Sequence, residues 1–404
     1  MKKRFFYIVD PLYGFIDVRD EVCRNIIKHR YFQRLRRITQ TGLAFYVYPS
    51  ATHNRFAHSL GVYHLMGIAI NELKKKRCFI SQEEENLLIY CSLLHDIGHG
   101  PFSHVLENVL IPLDHEKLSL KVIDLLAREI EEDFSGVIKM LTVKEDDSFM
   151  RALIASQMDM DRLDYLGRDS FFTGVAEGTI GQHRILKTLS VLNGKLAIEE
   201  KALLSIENFL HARMVMYKQV YLHKTVLSAE VLLIKIIERA RELINSGVTL
   251  PVTSCLLHVL RQKTEITDDT ILSFLEIDEA EIWSAIKQWR TATDRVLSCL
   301  CESLLLRRLY KAEISINGDM PGSIDTAIKK LKKRGFTEKE IDYFIVRKKE
   351  KFTFYDRKNP ILVLRKDGSI TEIHEISPLI ATYPESQSFV FYFYPQEGGM
   401  LDIL

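Results

Sequence analysis

A histidine and an aspartate stand side by side at the end of an apolar segment. His95-Asp96 follows Leu93-Leu94 and precedes Ile97-Gly98-His99-Gly100-Pro101-Phe102-Ser103-His104. Burying a carboxylate without a partner costs several kcal/mol, and a divalent metal ion removes that cost because it binds imidazole and carboxylate in their deprotonated forms. The Gly100-Pro101 pair ends the predicted helix, so the two later histidines can turn back toward its end. The pattern predicts a metallohydrolase centre.

Further candidate ligands lie on both sides of this segment, because a divalent ion needs more than two protein ligands. Upstream, His53 and His58 stand with Arg55 at the start of a predicted helix. Downstream, an acidic helix offers three carboxylates, although an acidic helix face is usually only solvated: Asp159, Asp161 and Asp164. The residues alone leave the choice among these three open.

Cationic and aromatic residues accompany the candidate ligands. Asp161, Tyr165 and Asp169 fall at i, i+4 and i+8, which places them on one helix face. A second predicted helix face carries four further residues: Arg213, Tyr217, Tyr221 and Lys224. Metal-activated water, cationic side chains and a histidine acid are what the hydrolysis of a phosphate ester requires. The inventory therefore favours phosphate chemistry.

The elements that must position these residues are mostly helical. Apolar residues at helical spacing predict helices at 57–76, 83–97, 116–132, 149–169, 202–222 and 226–245. A short β-hairpin is predicted at 5–18, a second helical set at 251–310, and a basic helical stretch from Ala327 to Lys351. The period then changes to two, which predicts strands at 352–355, 361–364, 370–373 and 389–394, with a tight turn at 366–369.

The predicted fold class is mainly α, with a short N-terminal β-hairpin and a small C-terminal α+β part. A chain of 404 residues exceeds a comfortable single core. We therefore predict a catalytic helical domain at 1–245 and a region at 246–404 that serves packing and assembly. The lysine-rich run at 329–334 is expected to be a solvated helix face.

The overall charge gives no support for a general nucleic-acid or anionic-membrane role. Lysine and arginine number 55 against 54 aspartates and glutamates, a net charge of +1. No stretch reaches the roughly 18 apolar residues of a membrane span, and Asp10-Pro11 interrupts the N-terminal apolar run too early for a signal peptide. Six scattered cysteines without a Cys-x-x-Cys pair predict reduced thiols in a cytoplasmic protein.

In their order along the chain these residues resemble the HD-domain phosphohydrolases. The similarity is closest to the deoxynucleoside triphosphate triphosphohydrolases, which include the HD half of the sterile-alpha-motif/HD-domain enzyme. It covers roughly residues 6–245 and rests on these segments: Asp10-Pro11-Leu12-Tyr13-Gly14, Tyr31-Phe32-Gln33-Arg34-Leu35-Arg36 with Gln40, Tyr48-Pro49, His53 to Val62, His95 to His104, and Asp161-Arg162-Leu163-Asp164-Tyr165.

The resemblance implies a role for each matching residue. It makes His53 structural and assigns the metal to His58, His95, Asp96 and Asp161. The implied catalytic group has His99 against the scissile phosphate, His104 as general acid, and two residues that orient it, His115 and Glu107. The implied phosphate contacts are Arg55, Arg162, Tyr165 and Arg213, and those around the sugar are Gln40, Asp169 and Tyr221. Lys224 matches a lysine associated with an activator nucleotide.

Four positions depart from the family pattern. Lys28 stands where the regulated animal enzyme has an aspartate that reads an activating guanine, and Val9 replaces an asparagine of the same activator site. The same guanine-nucleotide activation is therefore not expected. Thr41 replaces an apolar neighbour of Gln40, which bears on the selection of deoxyribose over ribose. Glu107 replaces an aspartate, a chemically mild change.

The resemblance implies a metal-dependent hydrolysis of deoxynucleoside triphosphates to the nucleoside and inorganic triphosphate. The implied cofactor is one divalent ion, and two imidazoles with two carboxylates accept Mn, Fe, Ni, Zn or Mg. The implied assembly is a homo-oligomer, a dimer or tetramer, without a membrane. One alternative is an HD phosphohydrolase acting on a nucleoside monophosphate, a cyclic nucleotide or an alarmone. Another is a nucleotide-sensing or nucleic-acid-binding protein with residual catalysis, which the basic stretch motivates and the neutral overall charge argues against.

Overall fold

The computed structural model describes residues 6–143, 146–261, 266–315, 319–383 and 386–403. Helices of the first part of the chain have these bounds: α1 (Glu21–Lys28), α2 (Arg30–Gln33), α3 (Arg55–Lys75), α4 (Gln82–Leu94), α5 (His115–Ile130), α6 (Ser135–Thr142), α7 (Phe149–Ile154), α8 (Met160–Thr173), α9 (Gln182–Thr188), α10 (Leu203–Met216) and α11 (Lys224–Asn245). Those of the second part are α12 (Ser254–Arg261), α13 (Asp268–Glu276), α14 (Glu279–Trp289), α15 (Arg295–Leu305), α16 (Gly322–Lys333), α17 (Glu338–Ile341), α18 (Ile373–Ile376) and α19 (Pro378–Thr382).

Within the described residues the strands form three small sheets. The first is the antiparallel hairpin of β1 (Tyr7–Asp10) and β2 (Gly14–Asp17). The second has the order β3-β4-β7-β8, made of β3 (Leu189–Leu192), β4 (Lys195–Glu199), β7 (Leu362–Leu364) and β8 (Ile370–Glu372). The third has the order β5-β9-β6, made of β5 (Lys311–Ser315), β9 (Ser386–Tyr394) and β6 (Val346–Thr353). The predicted fold class is confirmed, and the first residue of the predicted hairpin, Phe5, lies outside the described residues.

Three secondary-structure predictions were wrong. The predicted helix 149–169 is two helices, because Asp159 accepts a hydrogen bond from the Arg162 backbone N–H and starts α8 as a new helix. The segment 189–199, inside the region predicted as helical, is the β3–β4 hairpin. The basic stretch 327–351 is helical only in part, since Gly335 turns with φ +82 after α16 and residues from Val346 onward form β6.

The centre of the helical part is α3, whose first turns are buried on all sides. The buried residues there occur around the helix rather than on one face, as is typical of a helix inside a core, and exposed residues appear near its C-terminal end. Helix α4 packs on one side of α3, and α8 packs on another. Side chains at the start of α3, the end of α4 and the start of α8 can therefore meet.

Residues on both sides of the predicted boundary at 245 contact each other. Strand β4 pairs in parallel with β7, and Glu279 accepts hydrogen bonds from the backbone N–H groups of Thr39 and Phe102. The division into 1–245 and 246–404 stays a prediction.

Across the described ranges, none of the helices is long and apolar enough to cross a membrane.

Candidate metal centre and active site

The His95-Asp96 pair emerges from the core at the end of α4. A capping box of Ser81 and Glu84 starts this helix, and its last residues, Leu93 and Leu94, are fully buried. His95 is the C-cap of the helix, and Asp96 is buried. A deprotonated carboxylate at such a depth requires a cationic partner.

Two further side chains, one from α3 and one from α8, converge beside this pair. His58 Nε2, on α3, lies 3.0 Å from Asp161 Oδ1 on α8 and 3.4 Å from Asp96 Oδ2. His95 Nε2 lies 3.6 Å from Asp96 Oδ1 and 3.8 Å from Asp161 Oδ1. Ligands about 2.1 Å from one ion are themselves roughly 3 to 4 Å apart, depending on the coordination angle, so these spacings fit a first coordination shell. The structure thus brings together all four residues predicted as metal ligands.

Both imidazoles are held through their other nitrogen. His58 Nδ1 lies 2.8 Å from Asp164 Oδ2, and His95 Nδ1 lies 3.0 Å from the Ser92 carbonyl oxygen. Carboxylate and carbonyl oxygens only accept hydrogen bonds, so in the neutral rings both Nδ1 atoms carry the proton and both Nε2 lone pairs are free. Both Nε2 atoms are buried and lack a hydrogen-bond partner within the described part of the chain. The donor set fits a divalent ion.

The electrostatics of the site also favour a cation. Burial alone would lower the pKa of His58, but its contacts with Asp161, Asp164 and Asp96 outweigh burial and raise that pKa well above its usual value. Burial would raise the pKa of Asp161, yet His58 and His95 hold it far below its usual range. The carboxylates therefore remain ionised and attract positive charge, from a metal ion or from protons on the imidazoles.

A second polar group lies on the loop and helix that follow. The Nδ1 atoms of His104 and His115 each lie 2.9 Å from a different oxygen of Glu107, which also accepts a hydrogen bond from the His115 backbone N–H at 3.1 Å. Burial would raise the pKa of Glu107, but these hydrogen bonds hold it far below its usual range. The side chain of His104 is 63% exposed. Its Nδ1 is fixed by Glu107, which leaves Nε2 for proton transfer.

His99 completes this group. Its ring stacks on His115 with centroids 4.0 Å apart and planes 15° apart, and His104 stands edge-on to it at 4.8 Å. The nitrogens of the three histidines lie within 4.8 Å of one another, but the in-plane lone pairs of two nearly parallel, stacked rings cannot point at one ion. Burial and the charge of Arg55 hold the pKa of His99 well below its usual value. We therefore interpret the group as a proton-transfer and phosphate-contact site rather than a second metal site.

Two of the arginines predicted to bind phosphate already donate hydrogen bonds to other groups of the protein. Arg55 donates to Asp96 through Nη1 and to Ser103 Oγ through Nε, at 2.8 Å for the latter. Arg162 donates from Nε to the Ser156 carbonyl oxygen at 2.8 Å, and its Nη1 lies 3.4 Å from the Tyr165 hydroxyl. A guanidinium has five N–H donors, so each arginine keeps donors for a further acceptor.

Arg213 differs from the other two arginines. It is 7% exposed, and its Nε and Nη1 atoms have no hydrogen-bond partner in the described ranges. Its guanidinium lies 5.9 Å from the ring centroid of Tyr217, the first residue of a π-helical turn, Tyr217–Tyr221. Burial and the neighbouring Tyr217 raise the pKa of Tyr165, and the charges of Arg162 and Arg213 oppose that shift. A buried cation with unpaired donors indicates a place for an anion.

The residues predicted around the sugar are in part bonded to one another. Asp169 is buried, and its two oxygens lie 2.6 Å from His53 Nε2 and from the Tyr221 hydroxyl. His53, predicted to be structural, thus holds Asp169 in place. Gln40 Oε1 and Thr41 Oγ1 are buried without a hydrogen-bond partner among residues that the structure describes. Both oxygens can therefore form a hydrogen bond with a ligand hydroxyl.

Comparison with known proteins agrees with this geometry. Residues 55–169 match the family model of the HD domain, and residues 180–251 match that of the HD associated region. The uncharacterized protein YwfO of Bacillus subtilis is 32% identical over 393 residues, which cover 92% of this chain and 87% of that protein. The chain belongs to the HD-domain family.

This HD-domain protein shares its fold with a solved phosphohydrolase. The crystal structure of a phosphohydrolase from Bacteroides thetaiotaomicron superposes with a TM-score of 0.92 and 38% identity, over 97% of this chain and 100% of that one. The deoxynucleoside triphosphate triphosphohydrolase SAMHD1 of Gallus gallus is 27% identical over 324 residues, which cover 68% of this chain and 52% of that protein. The HD domain and these relatives support a hydrolase of the HD phosphohydrolase family with a divalent metal.

Some residues that hold this HD-domain site together have roles that the sequence did not reveal. Asp164, one of the three carboxylates left open as metal ligands, pairs with Arg168 four residues later and also orients His58. Ser119 Oγ accepts from the Gly98 N–H at 3.0 Å and donates to the His95 carbonyl oxygen at 2.8 Å, which ties α5 to the loop. A Cβ at Gly98 would lie 2.2 Å from the Ser119 backbone nitrogen. Gly98, inside the histidine motif, was therefore a sequence signal that another backbone segment, here that of Ser119, approaches closely.

Proposed function

We propose that this HD-domain protein hydrolyses deoxynucleoside triphosphates to the deoxynucleoside and inorganic triphosphate. The observations that carry the proposal are a four-donor metal site, a histidine group held by Glu107, and the buried cation Arg213, whose Nε and Nη1 have no partner among the described residues. The similarity to the SAMHD1 enzymes supports the choice of substrate. The proposed metal ligands are His58, His95, Asp96 and Asp161.

A divalent ion at this site would polarise the α-phosphate as a Lewis acid and lower the pKa of a bound water. The protein contributes charge neutralisation, because Arg55, Arg162 and Arg213 offset the negative charge of the polyphosphate, which otherwise repels an attacking hydroxide. Of the three, Arg213 gains most from the substrate, since two of its nitrogens are unpaired without it.

The bond that breaks joins the α-phosphorus to the 5′-oxygen of the nucleoside. His104 donates a proton from Nε2 to that oxygen, because an alkoxide without a proton is a poor leaving group. Glu107 stabilises the protonated ring through Nδ1 and keeps the same hydrogen bond after the proton has left. The exposed ring takes a new proton from solvent before the next turnover. His99 and His115 pack against this acid and keep its ring in place.

One observation favours the alternative of a nucleoside monophosphate as substrate. Arg55 and Arg162 are already bonded to Asp96 and to the Ser156 carbonyl oxygen, and such an arrangement suits a substrate with less charge than a triphosphate. The two substrates give different products, orthophosphate from a monophosphate and inorganic triphosphate from the α-phosphate cleavage of a triphosphate.

The test is a product assay on purified, metal-reconstituted protein with each deoxynucleoside triphosphate, alone and in mixture. We expect deoxynucleoside and inorganic triphosphate in equal amounts, no product from His95→Ala, and unchanged turnover from His183→Ala, which removes an exposed histidine away from the site. Orthophosphate from a monophosphate, with no triphosphate from any mixture, would overturn the substrate assignment. Full activity of His95→Ala would overturn the site itself.

Several expectations about the whole protein stay predictions. They are assembly as a homo-oligomer, a cytoplasmic location, and the lack of guanine-nucleotide activation that follows from Lys28 and Val9. The mixture arm of the product assay also addresses activation, because an activating nucleotide would raise the turnover of another. Parallel reactions with ribonucleotides examine the effect of Thr41 on sugar selection.

A further inference from the structure

A chain of buried ion pairs runs from the metal ligand His58 toward the N-terminal hairpin. Asp164 accepts from His58 Nδ1 at 2.8 Å and from Arg168 twice, with Nε at 2.9 Å and Nη2 at 3.0 Å. The remaining terminal nitrogen of Arg168, Nη1, donates to Asp10 Oδ2 at 2.8 Å. Asp164 and Arg168 are fully buried, and Asp10 is nearly so. The guanidinium is thus shared between two carboxylates, one next to the metal site and one at the end of β1, where the hairpin turn begins.

Tyr13 joins the same turn to the same carboxylate. Its hydroxyl donates to Asp164 Oδ1 at 2.8 Å, and burial and Asp164 keep the pKa of this hydroxyl well above its usual value, so that it stays a donor. The other oxygen of Asp10 accepts the backbone N–H groups of Leu12 and Tyr13 at 2.9 and 3.2 Å. Asp10 therefore holds both the arginine and the turn that carries Tyr13.

Helix α3 leaves room for this ion pair at Gly61. A Cβ there would lie 1.8 Å from Asp164 Oδ1 and 2.5 Å from Arg168 Nη2. Gly61 is three residues after His58, on the same helix face. The close approach lets Asp164 reach the far side of the His58 ring while Arg168 stays fully buried.

We propose that Asp10 and Tyr13 are positioning residues of the metal centre, which act on His58 through Arg168 and Asp164. The inference rests on the proposed metal centre and extends it to the N-terminal hairpin. When asparagine replaces Asp10, the Arg168 guanidinium interacts with the Asp164 carboxylate alone and attracts more of the negative charge of Asp164. Asp164 then accepts more weakly from His58 Nδ1, and His58 Nε2 becomes a poorer and less fixed ligand. A purely structural role would instead change only the stability of the hairpin.

The experiment measures the binding of Co²⁺ to the full chain by competition with a chromogenic chelator. The variants are Asp10→Asn and Tyr13→Phe, and the matched control is Asp294→Asn. Asp294 forms a comparable pair with Arg239, with N–O distances of 2.6 and 3.1 Å, on a different part of the molecule. The visible absorption of bound Co²⁺ reports ligand geometry, and urea unfolding of the metal-free proteins reports stability separately.

We expect Asp10→Asn to weaken Co²⁺ binding about 10-fold, the lower end of the range for outer partners of metal ligands, and to alter the Co²⁺ spectrum. Asp294→Asn should lose stability with an unchanged Co²⁺ affinity and spectrum. Wild-type affinity and spectrum in both site variants would overturn the inference. If Asp10→Asn does not fold, Tyr13→Phe decides alone, since it loses one hydroxyl and keeps its ring.

Failure of the inference and failure of the proposed function give different results. A wild-type chain that binds no Co²⁺ overturns the metal centre, and the inference with it. A wild-type chain that binds Co²⁺ but releases no triphosphate overturns only the substrate assignment, because the affinities of the variants are read without any substrate.

Discussion

Replacement of His104 by glutamine isolates the proposed proton transfer to the 5′-oxygen. The side chain is 63% exposed, and its hydrogen bond is to Glu107. A glutamine can still donate a hydrogen bond to Glu107, so the substitution should cost less than the about 1 kcal/mol of stability that one hydrogen bond usually contributes. Its amide cannot deliver a proton to a leaving group. Metal binding through His58 and His95 should be unchanged.

The size of the effect on turnover follows from the exposure of the ring. General acid catalysis contributes roughly 10²- to 10⁴-fold. Because His104 is open to solvent, water can partly replace it as proton donor, so we expect the lower end, about 10²-fold in kcat or about 3 kcal/mol of barrier. KM should change little, since arginines rather than His104 meet the charge of the triphosphate in the proposed site.

The assay compares a deoxynucleoside triphosphate with its analogue in which sulfur replaces the bridging 5′-oxygen. A thiolate leaves without a proton, so the defect of His104→Gln should shrink from about 10²-fold to a few-fold on this analogue. His183→Gln, which changes an exposed histidine elsewhere, should match the wild type on both substrates. Equal defects of His104→Gln on the two substrates would refute its role as general acid.

Three further substitutions, the first with a matched control variant, test other features of the structure. Gly61→Ala places a Cβ 1.8 Å from an Asp164 oxygen; it should cost about 3–5 kcal/mol in urea unfolding by breaking a buried ion pair. Gly67→Ala, on the same helix with nothing within 4 Å, should be neutral or stabilising. Arg213→Met should raise the melting temperature of the ligand-free protein while lowering kcat/KM, because it removes a buried cation with unpaired donors; a drop in both would argue against a phosphate site there. Burial and neighbouring acids raise the pKa of Glu281 to about 7, so its contribution to stability is present below about pH 4.5 and is lost as pH rises through 7. Glu281→Gln should therefore raise the melting temperature at pH 8 and not at pH 4.5, and equal values at pH 8 would contradict this.

The long helices could be predicted from the sequence because their apolar spacing is strong. Helices α3, α4, α5 and α11 begin and end within a few residues of their predicted bounds. Strand β6 could not, since its lysine-rich sequence has no local strand signal and its pairing with β9 decides its structure. The break between α7 and α8 was missed because the capping role of Asp159 is hidden in an acidic run.

The ordered motifs indicated which residues meet at the metal site, but not what holds them. His58 and Asp164 are 106 residues apart, and Asp10 and Arg168 are 158 apart. Spacing along the chain carries no information about contacts of this kind. The Asp164–Arg168 pair had two local signals, the i, i+4 spacing of its members and Gly61, where an alanine would collide with the pair.

His58 and His104 are held in the same way, although His58 is proposed to bind the metal and His104 to donate a proton. In His58 and in His104 a carboxylate fixes Nδ1 and leaves Nε2 for chemistry. The difference lies in exposure, because the His58 side chain is fully buried whereas that of His104 is 63% exposed. A buried Nε2 with carboxylates 3.0 and 3.4 Å away keeps whatever cation it holds, while an exposed Nε2 exchanges its proton with water at each turnover. Burial, and not the hydrogen bond, therefore separates a metal ligand from a proton donor in this site.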